Sequence, residues 1–163
     1  RQYGYELRTV NAAIDVNKDQ KTALYKKACR RLITFSGLKV AALGLTFKPG
    51  TDDLREAPSL DNVPLLLEQG AVIYAYDLVG MDNFKRKYPE GSHDSGSIKY
   101  VENIQEALED ANVCFIFTEW EEIKAIEPET YKKLMRTPLV YDGRNIYGTR
   151  EMKDVGVEYY KVK

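Results

Sequence analysis

The sequence predicts an α/β protein, a Rossmann-like doubly wound parallel sheet preceded by one long α-helix. Short apolar runs alternate with segments of helical periodicity from about residue 38 onward, the pattern of strand–helix–strand units. Those runs are nearly all apolar rather than alternating, as expected of strands covered on both faces. The opening residues carry a single helical stripe with no proline. The expected division is therefore a connecting and dimerising helix over residues 1–36 and a sheet domain over residues 37–163.

From Tyr5 to about Phe35, Leu7, Val10, Ile14, Leu24, Ala28, Leu32 and Phe35 recur at spacings of three, four and seven, with Gly37 placed as a stop. Such a helix would be about 45 Å long, more than a compact domain needs, and helices of that length join domains or pair with a copy of themselves. A break near Asn17-Lys18-Asp19 would give two shorter helices instead. Leu38 to Leu45 is the first expected strand. A helix follows from about Pro58 to Gln69, with Gly70 ending it. Pro64 sits awkwardly inside, where a proline costs about 3 kcal/mol, unless the helix starts late, near Asp61 or Asn62. Ala71 to Tyr76 is the second strand, residues 79–88 suit a short helix, and Pro89 to Gly96 reads as a polar loop. Then come a strand (Ile98 to Val101), a helix (Asn103 to Ala111), a strand (Asn112 to Thr118), and helical Glu121 to Met135 broken at Pro128. Pro138 to Tyr141 is the next strand, and Val157 to Val162 suits an edge strand. There is no internal repeat or low-complexity tract.

The bulk composition narrows the function classes. The 163 residues suit one core with an appendage, and 44% hydrophobic with 30% charged residues is an ordinary globular balance. A formal net charge of -1 gives no field to recruit nucleic acid or an acidic membrane, and no apolar run is long enough to span a bilayer. Cys29 and Cys114 have no partner at metal-ligand spacing, so both are expected as buried inert thiols in a reducing, cytoplasmic setting. The start, Arg-Gln-Tyr-Gly, lacks a signal-peptide core and an initiating Met, as a piece of a longer chain would.

Loops after parallel strands converge on one edge of such a sheet, where ligands bind. Here they offer Phe47, Lys48, Asp52, Asp53 and Arg55 after the first strand, Asp77 after the second, Glu119 and Trp120 later, and Arg144 after Asp142. Lys48 and Arg144 could hold a phosphate together, as a point charge and a planar fork, with Phe47 covering a flat ring. The plainer reading is a solvated loop with Lys48 paired to Asp52 or Asp53. After the first strand the chain reads Gly44-Leu-Thr-Phe-Lys-Pro-Gly50, which is not the G-x-G-x-x-G of a primary dinucleotide site. Asp77 suits a helix N-cap better than a ribose-binding acid. Trp120 could touch a ligand or pack under the next helix. His93 reads as solvent-exposed and without function. No nucleophile triad, metal cluster or basic–aromatic stripe can be assembled.

Gly44-Leu-Thr-Phe-Lys-Pro-Gly-Thr-Asp-Asp-Leu-Arg-Glu-Ala-Pro-Ser59 resembles the G-L-x-F-K-x-x-T-D-D-x-R-E-S/A-P-S signature of the UDP-glucose/GDP-mannose dehydrogenase family. Tyr76-Asp77, Thr118-Glu119-Trp120 and Tyr141-Asp142-Gly143-Arg144-Asn145 resemble its later motifs, in order, and the opening helix is similar to its central helix. The last two motifs are most like those of the bacterial members that oxidise UDP-glucose. The resemblance implies the central helix plus the carboxyl-terminal UDP-binding domain, without the NAD-binding domain or the segment of the nucleophilic Cys. It implies that Phe47, Lys48 and Arg144 contact a UDP-sugar such as UDP-glucose, and that Arg55 reaches NAD held by the other domain. It implies no catalytic residue here; the residues themselves offer no metal site, and the long apolar stripe of the opening helix predicts a homodimer through it. The family reaction is two NAD-dependent oxidations of a sugar C6 alcohol through a thioester on that Cys. A UDP-N-acetylmannosamine dehydrogenase domain is the nearer alternative, and a non-catalytic nucleotide-binding or dimerisation module the more distant one. A free-standing small dehydrogenase is disfavoured by the missing glycine fingerprint. Pro64, and Leu78 where Y-D-P is usual, depart from the family pattern.

Overall fold

Strand β1 (Lys39–Leu43) buries Val40 and Ala42 on one face of the sheet and Ala41 and Leu43 on the other. A strand with two apolar faces must lie between two layers, and the rest of the chain supplies them. The computed structural model describes residues 21–162. Within them lies a seven-stranded sheet of order β3-β4-β2-β1-β5-β6-β7, with β2 Val72–Tyr76, β3 Gly91–His93, β4 Gly96–Tyr100, β5 Val113–Ile116, β6 Leu139–Asp142 and β7 Glu158–Lys161. All neighbours are parallel except β3 and β4, so the expected α/β architecture is present. Helices α1 (Ala23–Arg31), α2 (Ser59–Glu68) and α3 (Met81–Lys87) cover one face. Helices α4 (Ile104–Leu108), α5 (Glu121–Lys124), α6 (Pro128–Leu134) and α7 (Thr149–Asp154) cover the other. No helix among the described residues is long and apolar enough to cross a membrane.

Helix α1 stops at Arg31, four residues before the expected end. Leu32 is already extended, and the chain bends so that Phe35 drops into the core and stacks on Tyr25 with ring centroids 5.9 Å apart. Gly37 then serves the turn into β1 rather than the helix stop, at φ 74° with its N–H donating to Gly70 O. Leu24 and Ala28 pack into the domain's own core, so this end of the helix belongs to the domain it leads into. Most of the expected long helix, with its alternative break at Asn17-Lys18-Asp19, lies outside the described residues.

Helix α2 begins at Ser59 with Pro64 inside it, so the late start is not what the chain adopts. The lost backbone donor is offset by Val63, Leu66 and Leu67, which flank the proline and are buried. The expected polar loop from Pro89 to Gly96 contains strand β3, which closes a hairpin with β4. His93 is half-buried rather than solvent-exposed. Its Nε2 lies 2.6 Å from Pro89 O and its ring meets Tyr88 edge-on, so it fastens that hairpin. Cys114 is buried in β5, and burial pushes its thiol well above the ordinary range. Cys29 is exposed on α1, contrary to expectation, because Leu24 and Ala28 take the inward positions of that helix.

Candidate functional site

The direction of chain progression reverses at β1. β2 and β4 lie to one side of it, and β5, β6 and β7 to the other. The crevice at such a switch point, outside the carboxyl ends of the strands, is where doubly wound sheets bind ligands. The turn after β1 and the Thr118-Glu119-Trp120 turn after β5 border it directly. The turn with Arg144 is two strands from β1, roughly 10 Å at ordinary strand spacing.

The turns after β1, β2 and β5 are held from beneath by Asp77. Its carboxylate is fully buried and accepts Leu45 N at 2.6 Å and Thr46 N at 3.3 Å, then Val79 N at 2.9 Å and Gly80 N at 2.7 Å. Trp120 Nε1 donates to the same group at 3.1 Å. One carboxylate thus ties together the exits of β1, β2 and β5. Asp77 is neither a helix N-cap, since Gly80 holds that position, nor an acid free for a ribose. Trp120 resolves likewise as a packing residue, buried with its indole N–H spent on Asp77.

Three further buried hydroxyl groups complete the frame. Thr46 Oγ1 donates to Lys48 O at 3.1 Å, Thr118 Oγ1 to Thr46 O at 2.6 Å, and Ser59 Oγ to Leu45 O at 2.6 Å. Gly44, at φ 85°, is required where β1 and β5 part, because a Cβ there would lie 2.6 Å from Thr118 Cβ. Sequence reading missed Thr46, Thr118 and Ser59. Their signal was a small polar residue just past an apolar strand or at a helix start, where a buried backbone group needs a partner.

On this frame stand the exposed groups. Phe47 is 41% exposed, with its N–H held by Asp53 O at 3.1 Å. Lys48 is exposed and makes no ion pair with any described residue, so the expected pairing with Asp52 or Asp53 is not formed. Asp53 instead takes Arg55, through Nε at 3.1 Å and Nη2 at 2.9 Å, and that side chain holds its carboxyl down at about 2. Arg55 is otherwise open to solvent, with 88% of its side chain exposed.

Arg144 is placed from both ends. Asp142, fully buried at the end of β6, accepts Arg144 N and Ile146 N, each at 2.7 Å, and Tyr159 OH at 2.5 Å. The guanidinium forks onto Glu119, Nε to Oε1 at 3.0 Å and Nη2 to Oε2 at 3.1 Å. Burial, the largest single influence, raises the Glu119 carboxyl, but the Arg144 hydrogen bonds and charge, a backbone hydrogen bond and the nearby Lys124 together outweigh it and leave the carboxyl lowered. The pair is half-buried, and Nη1 stays unused toward Glu119, so the arginine is aimed while keeping donors for an anion. The predicted site residues thus occupy one edge of the sheet, with Phe47 and Lys48 on one turn and Arg144 beyond Glu119. Arg55 sits farther along the first of these loops.

The turn after β1 does not fit a dinucleotide pyrophosphate. The Leu45 and Thr46 N–H groups at its base already donate to Asp77. Among the described residues, no cluster of His, Cys, Asp and Glu side chains is arranged to hold a metal ion.

Residues 41–149 match the family model for the UDP-glucose/GDP-mannose dehydrogenase family, UDP binding domain. The chain belongs to this family. The chain is 39% identical over 158 residues to the UDP-glucose 6-dehydrogenase YwqF of Bacillus subtilis, covering 97% of this chain and 34% of the relative. To TuaD, another UDP-glucose 6-dehydrogenase of Bacillus subtilis, it is 34% identical over 160 residues, 98% of this chain and 33% of that one. It therefore spans about a third of the length of these relatives. Among solved structures it is similar to a UDP-glucose dehydrogenase of Pyrobaculum islandicum, with a TM-score of 0.73 at 28% identity over 99% of this chain and 34% of that one. It is also similar to a UDP-N-acetyl-mannosamine dehydrogenase of Staphylococcus aureus, with a TM-score of 0.54 at 26% identity over 85% of this chain and 29% of that one. The matched region contains all four predicted contact residues, Phe47, Lys48, Arg55 and Arg144.

Proposed function

We propose that this chain holds the nucleotide handle of a UDP-sugar for an NAD-dependent UDP-glucose 6-dehydrogenase, of which it supplies the carboxyl-terminal domain and the end of the connecting helix. The observation that carries this is Arg144, forked onto Glu119 at the strand-end edge of a matched UDP-binding domain. Its remaining donors serve the pyrophosphate, Lys48 adds a second cation, and Phe47 covers the flat part of the ligand. Binding energy gathered on the UDP then positions the distant sugar C6 for oxidation by groups outside this chain. NAD belongs to a domain outside this chain, and Arg55 is the one residue here that would face it. No catalytic residue is assigned.

Mixing the purified chain with UDP-glucose and NAD, and following NADH absorbance, is expected to give no turnover, whereas UDP should bind saturably. Sustained turnover would contradict the division of labour. A UDP-N-acetylmannosamine substrate is the second reading, favoured by the similarity to the Staphylococcus aureus structure. Equal competition by both UDP-sugars is expected on this chain, because the handle is common to them.

Self-association through the opening helix is proposed from the stripe of Leu7, Val10 and Ile14. Leu24 and Leu32 are unsuitable as its test, since both pack on the domain's own core. Changing Val10 and Ile14 to Ser should weaken a dimer in sedimentation equilibrium, and a strictly monomeric parent chain would contradict the proposal. The unpaired cysteines favour a reducing, cytoplasmic setting.

A further inference from the structure

A groove of about 350 Å³ lies between α1 and the β6–β7 edge, lined by Lys27, Arg30, Arg31, Tyr141 and Tyr160. It shares no residue with the strand-end turns. Its floor is the cross-strand pair Tyr141 and Tyr160, whose rings stack with centroids 5.1 Å apart. Its wall is three cations of α1, Lys27 and, one turn on, the adjacent Arg30 and Arg31. Lys27 Nζ donates to Lys161 O, Arg31 forks onto Glu158 at 2.7 and 3.0 Å, and Arg30 makes no ion pair with any described residue. Among the described residues the carboxylate paired with these cations is Glu158, which leaves an excess of positive charge.

The second observation is independent of that charge. Tyr141 is 1% exposed, yet its hydroxyl has no hydrogen-bond partner among the described residues. Tyr141 lines the groove with Arg30 and Arg31, at the register position beside Tyr160. A buried unpaired hydroxyl is costly to keep, and a ligand oxygen would satisfy it.

We propose that this groove binds a phosphate group. Arg31 would swing from Glu158 to the incoming anion, Arg30 and Lys27 would close on it, and Tyr141 would donate its hydroxyl. Those donors outnumber what the two oxygens of a carboxylate use and suit the oxygens of a phosphate. Tyr160, 37% exposed, offers a ring on which the organic part of a phosphate ester can stack. The ligand is thus either free phosphate or a small phosphate ester.

Titration of the 163-residue chain with inorganic phosphate and with phenyl phosphate, at constant ionic strength and followed by ¹H–¹⁵N NMR, separates the two sources. Saturable shifts of Arg30, Arg31 and Tyr160 signals are expected with both. Tighter binding of phenyl phosphate identifies an ester site, and equal binding a site for the free ion. The Lys27→Gln/Arg30→Gln double variant, at exposed or half-exposed positions, should lose roughly tenfold or more in affinity, while Arg144→Ala keeps it. Tyr141→Phe is expected to raise the thermal midpoint of the free chain and yet weaken phosphate binding, two effects of opposite sign that a packing role alone would not give. Shifts that grow linearly without saturation, or equal loss on Arg144→Ala, would overturn the site, as would unchanged affinity in Tyr141→Phe.

Discussion

Asp77 and Asp53 are the same side chain in opposite situations. Asp77 is fully buried and answers to donors from three separate strand exits, with no cation among them. Asp53 sits on an exposed loop and answers only to its neighbour Arg55, two residues on. The first kind of contact is non-local, dry and hard to replace, so it fixes a frame. The second is local and solvated, so it can be exchanged for a ligand at little cost. The site is built from both, an immobile base that sets where the turns lie and a loose rim that meets the ligand.

Substitution should separate the two regions sharply. Asp77→Ala strips several buried N–H groups of their acceptor and is expected to cost about 3–5 kcal/mol, read as a lowered urea midpoint. Asp77→Asn, which keeps one acceptor oxygen, should fall between that variant and the parent chain. Gly44→Ala forces a Cβ against Thr118 at positive φ and should cost roughly 2–3 kcal/mol. Neither penalty should be relieved by saturating UDP beyond the stabilisation UDP gives the parent chain, because neither residue faces the ligand.

A gentler test uses pH. Tyr131 is buried, with its hydroxyl 2.9 Å from Tyr147 OH, and burial first, then nearby Cys114 and Tyr147, raise it well above an ordinary phenol. A group whose pKa is raised by folding contributes fully below its unfolded value and is lost as pH rises above it. Stability should therefore decline from about pH 10 upward, by about 1.4 kcal/mol per pH unit for each phenol that ionises only on unfolding. Tyr131→Phe should flatten that alkaline slope in urea melts. At the exposed rim, Lys48→Ala and Asp53→Ala should leave the urea midpoint where it is. Lys48→Ala should still weaken UDP binding, and a large loss of stability there would erase the distinction between frame and rim.

The central strands β1, β2, β5 and β6 were legible because each is built on an apolar run such as Val113–Ile116, and burial on both faces demands such a run. Strand β3 was not, since Gly91-Ser92-His93 has no apolar member and forms only as the edge partner of β4. Helix α7 was missed because only Met152 of its residues is buried. The end of α1 was misplaced because Leu32 and Phe35 continue its stripe in sequence although the backbone has already turned. At the site, charged residue types after strand ends identified Lys48, Glu119 and Arg144 as candidates. Their pairing was not readable, because Glu119 with Arg144, or Asp77 with Trp120, joins turns far apart in the chain. Local spacing offered Lys48 a partner in Asp52 or Asp53, whereas the pair that forms on this loop is Asp53 with Arg55.

The assignment of the rim to UDP is tested most directly by calorimetric titration of UDP into the parent chain, Arg144→Ala and Arg55→Ala. Arg144→Ala should lose about 1.5–3 kcal/mol of binding, roughly ten- to a hundredfold in affinity, as expected for one charge-assisted contact. Arg55→Ala should bind UDP as the parent does. Abolished binding in Arg55→Ala together with unchanged binding in Arg144→Ala would contradict the account.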